Sequence, residues 1–317
     1  MSPRRQSSLA AIAAATCLAL LNGCSRGVAT TTVNANGSWT RQVTFRQSKM
    51  EGSPSETALK DAFVFPQGAG WKSVPIKTEK GEEALSFQRE MQVGDSLKGD
   101  ISVRNSKKKL TVCVNTVVVK RIEPGKCSYT ETFHWTGEMP KELSQVTPEQ
   151  IVQIKTYLPP ELAKDADAKD IAQRLTKEMY IAMMGPPDPL INHLLQILSS
   201  PEAIEKLLKK RVSAACFKVL EEKFGSKLSP EKRKTIVQNW IKLTVSKTAG
   251  SAQEKTNSKE GEDSGPGASL FCSVKFPGKI IDTNGEIDEA ENEAYWSFYP
   301  EAAAAGDFTL KATCSMK

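Results

Sequence analysis

Histidine is scarce in this 317-residue chain: it has two, against 43 Lys and Arg and 37 Asp and Glu. Histidine is the side chain that titrates near neutral pH and the commonest zinc ligand, so its shortage argues against acid–base catalysis and a zinc centre. The two lie far apart, His134 in "TFHWTG" near a predicted strand end and His193 inside the apolar "LINHLLQIL". No Ser-His-Asp arrangement can be built from them. Long apolar runs are missing too. The run Leu9–Leu21 carries no charge, yet it is shorter than the ~18 residues a spanning helix needs. What remains, 39% hydrophobic and 25% charged residues, suits a globular protein of about two domains.

Residues 1–23 have the layout of a signal peptide: Arg4 and Arg5, then the apolar run, then Leu21-Asn22-Gly23 before Cys24. Gly23 is small enough to admit a peptidase at the next bond, and the Cys24 thiol is a nucleophile that can be alkylated. Leu21-Asn22-Gly23-Cys24 resembles the lipobox of bacterial lipoproteins, with Asn22 where Ala or Ser is more usual. The alternative is an ordinary secretory signal with a chance cysteine. The resemblance implies cleavage before Cys24 and acylation of its thiol, palmitate being the expected class of chain. The protein would then be lipid-anchored in the cell envelope, facing outside the cytoplasm. Ser25, rather than Asp, after the cysteine favours the outer membrane in a Gram-negative host. Two or more chains anchor stably, at about 0.8 kcal/mol per buried CH₂. The mature chain keeps 41 basic and 37 acidic residues.

The mature chain changes period twice. Residues 24–137 read as a β-rich zone. "SWTRQVTFRQ" alternates, with Trp39, Val43 and Phe45 on one candidate buried face, and "KLTVCVNTVVVKRI" is β-branched up to a turn at "EPGK", Glu123 to Lys126. Residues 138–247 read as helical. "TPEQ" at Thr147, "SPEA" at Ser200 and "SPEK" at Ser229 each combine a hydroxyl N-cap, a proline at the first helical position and an early Glu; "DPLI" at Asp188 offers a fourth start. Residues 248–267 have almost no large apolar side chain and read as a flexible linker or loop. β character returns in 268–317, where Asn284-Gly285 reads as a hairpin turn. The last strands are too few to stay folded alone. The expected fold is therefore α+β: an antiparallel sheet or sandwich-like domain built from both flanking zones, with an inserted helical subdomain. Three small consecutive units are the alternative.

"FPGKIIDTNGEIDEAENEAYWSFYP" resembles a stretch of LppM-type envelope lipoproteins through Phe276, Pro277, Gly278, Asn284, Gly285, Trp296 and Phe298. The likeness covers about forty residues and has no place for the helical zone. It implies a surface-anchored α+β or sandwich-like domain with no established chemistry.

Of seven cysteines, five remain once Cys17 is removed and Cys24 acylated. An exported protein permits disulfides. Cys272 with Cys314 and Cys113 with Cys127 are candidate bridges, although a tight hairpin at "EPGK" would hold the second pair too far apart. Cys216 falls among Val212, Val219 and Leu220 at helical spacing, as a buried small residue or, less simply, a reactive thiol. The acidic runs from Asp165 and Asp282 lack the Gly and Glu positions of an EF-hand and read as solvated loops. No metal, cofactor or catalytic residue is expected.

Residues 201–250 carry twelve Lys or Arg against five Glu. Lys209, Lys210 and Arg211, with Lys232, Arg233 and Lys234, form a solvated helix face or a contact for anionic lipid, an acidic envelope polymer or an envelope protein. Nucleic acid is a poor partner for an exported protein. The expected role is a membrane-anchored, non-catalytic scaffold, adaptor or binding module. The alternatives are a carrier or sensor of an apolar ligand, held between the sheet and helices such as Leu190–Leu198, and, third, an envelope enzyme.

Overall fold

The computed structural model describes residues 25–48, 59–78, 82–105, 110–189, 201–255 and 268–316. They divide into two compact units, one built from 25–138, 184–189 and 268–316 and one from 139–183 and 201–255. The architecture is α+β, with two sheets drawn from the N- and C-terminal segments and a helical region inserted between them.

The β unit contains β1 (Ser25–Val33), β2 (Trp39–Ser48), β3 (Phe63–Val64), β4 (Lys72–Ser73), β5 (Glu82–Met91), β6 (Ser96–Arg104), β7 (Thr111–Glu123) and β8 (Lys126–Trp135). It continues with β9 (Ala268–Lys275), β10 (Ile280–Thr283), β11 (Glu286–Asp288), β12 (Glu293–Phe298) and β13 (Phe308–Ser315). The seven-stranded sheet runs β11-β12-β9-β1-β2-β5-β4, and the six-stranded sheet β10-β13-β8-β7-β6-β3. Each sheet therefore joins early and late strands. β9 lies parallel to β1, a single parallel step among antiparallel pairs, and β13 lies antiparallel to β8.

Period-two patterning makes one face of each sheet apolar. In β1 the inward residues are Ser25, Gly27, Ala29, Thr31 and Val33; in β8 they are Cys127, Tyr129, Glu131 and Phe133. The two inner faces meet as a sandwich. Tyr129 stacks on Trp296 at 5.9 Å between ring centres, and Phe133 meets Phe298 edge-on at 4.8 Å. The "EPGK" turn is a hairpin as the spacing predicts: Gly125 takes the left-handed conformation (φ 75°), and Cys127 faces Arg121.

Asn284-Gly285 behaves differently from the hairpin its sequence predicts. β10 pairs with β13 in one sheet, whereas β11 pairs with β12 in the other, so the segment is a corner that switches sheets. Asn284 itself explains why. Its Oδ1 accepts from Trp296 Nε1 (3.0 Å) and the Lys311 amide (2.8 Å), and its Nδ2 donates to the Thr309 carbonyl (2.7 Å). A Cβ on Gly285 would lie 2.5 Å from the Trp296 ring, and one on Gly278 only 1.9 Å from the Ser315 carbonyl oxygen. Asn284, Gly285 and Trp296, three of the residues behind the LppM-type likeness, thus serve close packing at this corner, and Gly278 allows a close approach of β13 at the other end of β10.

A short helix, α1 (Leu59–Ala62), precedes β3. The inserted segment holds α2 (Lys141–Ser144), α3 (Pro148–Tyr157), α4 (Asp165–Met184), α5 (Pro201–Phe224) and α6 (Pro230–Lys255). Three begin at the prolines the N-cap chemistry predicts. Thr147 closes a full capping box with Gln150, and Ser229 accepts from the Lys232 amide. The acidic run at Asp165 is the first turn of α4, where negative charge meets the positive end of the helix dipole. Ile171, Leu175, Val212, Cys216, Leu220, Ile236 and Ile241 form an apolar core. The α6 backbone continues to Lys255, so part of the segment read as a linker is helical; residues 256–267 lie outside the described set. So do the "DPLI" continuation, His193 and the Leu190–Leu198 segment. Among the described residues, no helix is long and apolar enough to cross a membrane.

Candidate functional site

The most heavily built polar site of the β unit lies inside the sandwich. Arg41 sits on β2 in the same alternation as Trp39, Val43 and Phe45, so the pleat turns it inward with them. The same parity carries Thr31 inward on β1, Asn115 on β7, and Tyr129 and Glu131 on β8. Asp100 arrives by another route. β6 gains two residues on its partner between Lys98 and Ser102, where Gly99 is left-handed (φ 72°), and this bulge aims Asp100 at the core.

The contacts are complete. Arg41 donates from Nε to Asp100 Oδ2 (2.7 Å), from Nη2 to Glu131 Oε1 (2.6 Å) and from Nη1 to Thr31 Oγ1 (2.8 Å). Asn115 Nδ2 donates to Asp100 Oδ1 (2.7 Å) and Glu131 Oε1 (2.6 Å), while its Oδ1 accepts from the Ile101 amide (3.0 Å). The Tyr129 hydroxyl donates to Glu131 Oε2. The side chains of Arg41, Asp100 and Glu131 are 0% exposed. Burial alone would pull the Arg41 pKa down; Asp100 and Glu131 outweigh it and hold the guanidinium well above its ordinary value. Burial, then the Glu131 charge, pushes the Tyr129 phenol up, so it remains a proton donor.

This cluster links the two sheets, with Thr31 and Arg41 on one and Asp100, Asn115, Tyr129 and Glu131 on the other. A buried ion pair gains little over a well-packed apolar core, but removing one partner strands a buried charge. Closed off from solvent, it offers a substrate no approach in this conformation and acts as an internal clamp. No motif or spacing in the sequence marks these residues as a cluster. The available signal was parity: an Arg and a Glu fall on the apolar side of strands whose other members are large hydrophobics. Asp100, placed by a bulge, gave no such signal.

The residues singled out from sequence are spread over both units. Cys24 lies outside the described set. Lys209, Lys210 and Arg211 fall within α5, and their side chains lie outside that set. Lys232 and Lys234 are exposed on α6. Arg233 between them turns inward, donating to the Leu228 and Gly225 carbonyls (3.0 and 2.8 Å) and to Glu221 Oε1 (3.1 Å), which closes the α5–α6 connection. Lys223 likewise pairs with Asp167 and Asp170, each at 3.0 Å. Part of the basic excess is thus spent within the helical unit.

Cys113, Cys127, Cys216, Cys272 and Cys314 are free, buried thiols. The ladder sets neither couple suggested by sequence face to face. Cys113 lies opposite Trp135 at the far end of the β7–β8 hairpin from Cys127, and Cys272 is in the other sheet from Cys314. Cys216 is packed in the helical core as its spacing predicts, and burial pushes its thiol up to about 12, far from a ready nucleophile. His134, in the β unit, pairs through Nδ1 with Asp307 Oδ2 at 2.6 Å on the exposed side. Among the described residues, no group of three His, Cys, Asp or Glu side chains is arranged to hold a metal. An apolar groove between α3 and α4 is lined by Pro148, Ile151, Val152 and Ala166, with Lys155 and Asp165 paired across it at 2.5 Å.

No protein-family model matches the chain, and no curated protein matches it. Among solved structures, it is similar to the folded domain of the Mycobacterium tuberculosis LppM protein, determined by NMR. The similarity spans 93% of this chain and 91% of that one, at 9% identity and a TM-score of 0.31, a level that carries no argument for a common role.

Proposed function

We propose that the protein is a lipid-anchored, non-catalytic binding or scaffold module of the bacterial cell envelope. The observation that carries this reading is Leu21-Asn22-Gly23-Cys24, placed behind a basic n-region and an uncharged apolar run. Acylated Cys24 would be the membrane attachment. β1 begins at the next residue, and Ser25 is buried in a strand near the middle of the seven-stranded sheet. The anchor would therefore join the folded body with no spacer, setting this end of the β unit against the lipid headgroups.

The partner would be acidic: anionic lipid, an envelope polymer or an envelope protein. Exposed Lys232 and Lys234, within the segment of twelve basic and five acidic residues, support this chemistry. A basic residue near an anionic surface contributes roughly 1 kcal/mol. An enzymatic role finds little support in Cys216, packed in the apolar core of the helical unit, or in His134, which pairs with Asp307 on the exposed side of the β unit. Cross-linking in intact cells, followed by capture of the tagged full chain from detergent-solubilised membranes, tests the reading. A defined envelope component should be recovered repeatedly, and less of it with Lys232→Glu/Lys234→Glu. Absence of any enriched component with several cross-linkers would count against a binding role.

A further inference from the structure

Two strands from distant parts of the sequence set a pair of thiols face to face. β13 runs antiparallel to β8, and the register places Cys314 directly opposite Cys127. Both are buried, so both side chains project from the inner face of the sheet. Two positions along the same register, the Met316 amide donates to the Gly125 carbonyl at 2.6 Å. Hydrogen-bonded pairs recur at every second residue, so Cys127 and Cys314 form another, with Cα atoms about 5.5 Å apart. Disulfides usually span about 4.4–6.8 Å between Cα atoms and about 3.5–4.5 Å between Cβ atoms, so this pair has the Cα spacing of a bridge and closes by drawing its Cβ atoms, about 5.5 Å apart in a hydrogen-bonded pair, together by about 1 Å. Burial, then the neighbouring Cys127 sulfur, pushes the Cys314 thiol up to about 11, which agrees with close sulfurs.

The other cysteines have different neighbours. Cys113 faces Val103 and Trp135. Cys272 faces Ala29 and Trp296 in the other sheet, with its thiol near Glu131. Cys216 belongs to the helical unit.

We infer that Cys127 and Cys314 are a disulfide-forming pair that staples the last strand of the chain to β8. The inference rests on the proposed exported location only for where the oxidant is met. The oxidant is a disulfide, either a small molecule or a protein oxidoreductase. One cysteine thiolate attacks it and releases a thiol; the second cysteine then displaces the other half. Two S–H bonds are lost and one S–S bond forms, and the two electrons and two protons leave on the donor's two thiols. The closed loop spans residues 127–314 and so contains the whole helical insertion. A cross-link over so long a loop removes a large share of the unfolded chain's freedom.

The test uses the full chain, reduced, then incubated with glutathione disulfide, alkylated under denaturing conditions, digested and mapped by mass spectrometry. A linked Cys127–Cys314 peptide is expected, with Cys113, Cys216 and Cys272 alkylated. Cys127→Ser and Cys314→Ser should each abolish that peptide. A different linked pair, or Cys127 and Cys314 both still alkylated after prolonged incubation, overturns the assignment, and the unsubstituted chain decides it even if a variant fails to fold. The same map on protein isolated from host cells separates the two proposals. The linked peptide found there supports both; a bond that forms in the tube and is absent from native material leaves the pairing standing and counts against the exported location.

Discussion

The two units treat charge in opposite ways. The β unit buries Arg41, Asp100 and Glu131 between its sheets, whereas the helical core is apolar and its ion pairs, such as Arg174–Glu222 and Lys223–Asp167, lie at the surface. The difference follows from geometry. A sheet has two faces and a strict alternation, so one charged residue in the inward register must be met by partners from the facing sheet. A helix spreads its side chains around a cylinder, and long charged ones reach water. The β unit therefore depends on a small set of mutually required residues, and the helical unit on bulk apolar packing.

Substitution at Arg41 should expose that dependence most strongly. Arg41→Ala leaves two carboxylates buried without their cation, and a loss of about 3–5 kcal/mol is expected. Hydrogen exchange should report the loss in β1, β2 and β6 to β8. Adding Asp100→Asn and Glu131→Gln to Arg41→Met should recover part of it; no recovery would mean that packing, rather than stranded charge, dominates. In the helical unit, Leu175→Ala is expected to cost about 2–5 kcal/mol through the cavity it leaves, with no such compensating combination. Just ahead of β10, at the end away from the corner, Gly278→Ala forces the backbone at Ser315 to move, at a cost of about 1–3 kcal/mol read from denaturant titration. Thr147→Ala removes the capping box and should cost about 1 kcal/mol, confined to α3. Lys232→Gln with Lys234→Gln should stay within about 0.5 kcal/mol of the parent in stability. Those two changes should still weaken binding to anionic vesicles in a flotation assay, while Arg233→Gln should do the reverse, lowering stability with a smaller effect on vesicles.

The same contrast marks what could be read from the sequence. Helix starts were legible because capping is local: Thr147, Ser200 and Ser229 announce the helices that begin at Pro148, Pro201 and Pro230. The joining of early and late strands followed from the few strands in the last segment. The corner at Asn284 was not legible, because a hairpin and a sheet switch share the Asn-Gly signal and differ only in what the Asn side chain finds across the fold. The buried clamp was half legible: Arg41 lies on the face that Trp39, Val43 and Phe45 define, but its partners come from strands far away in sequence, and Asp100 depends on a bulge. The pairing of Cys127 with Cys314 needed the β8–β13 register, which no local pattern supplies.

The anchor is the claim on which the functional account turns. Mass spectrometry of the N-terminal peptide from protein extracted out of its host's membranes tests it directly. The account predicts a chain beginning at Cys24 and carrying acyl groups on that residue. A chain that retains Met1, or begins elsewhere with an unmodified Cys24, would contradict it.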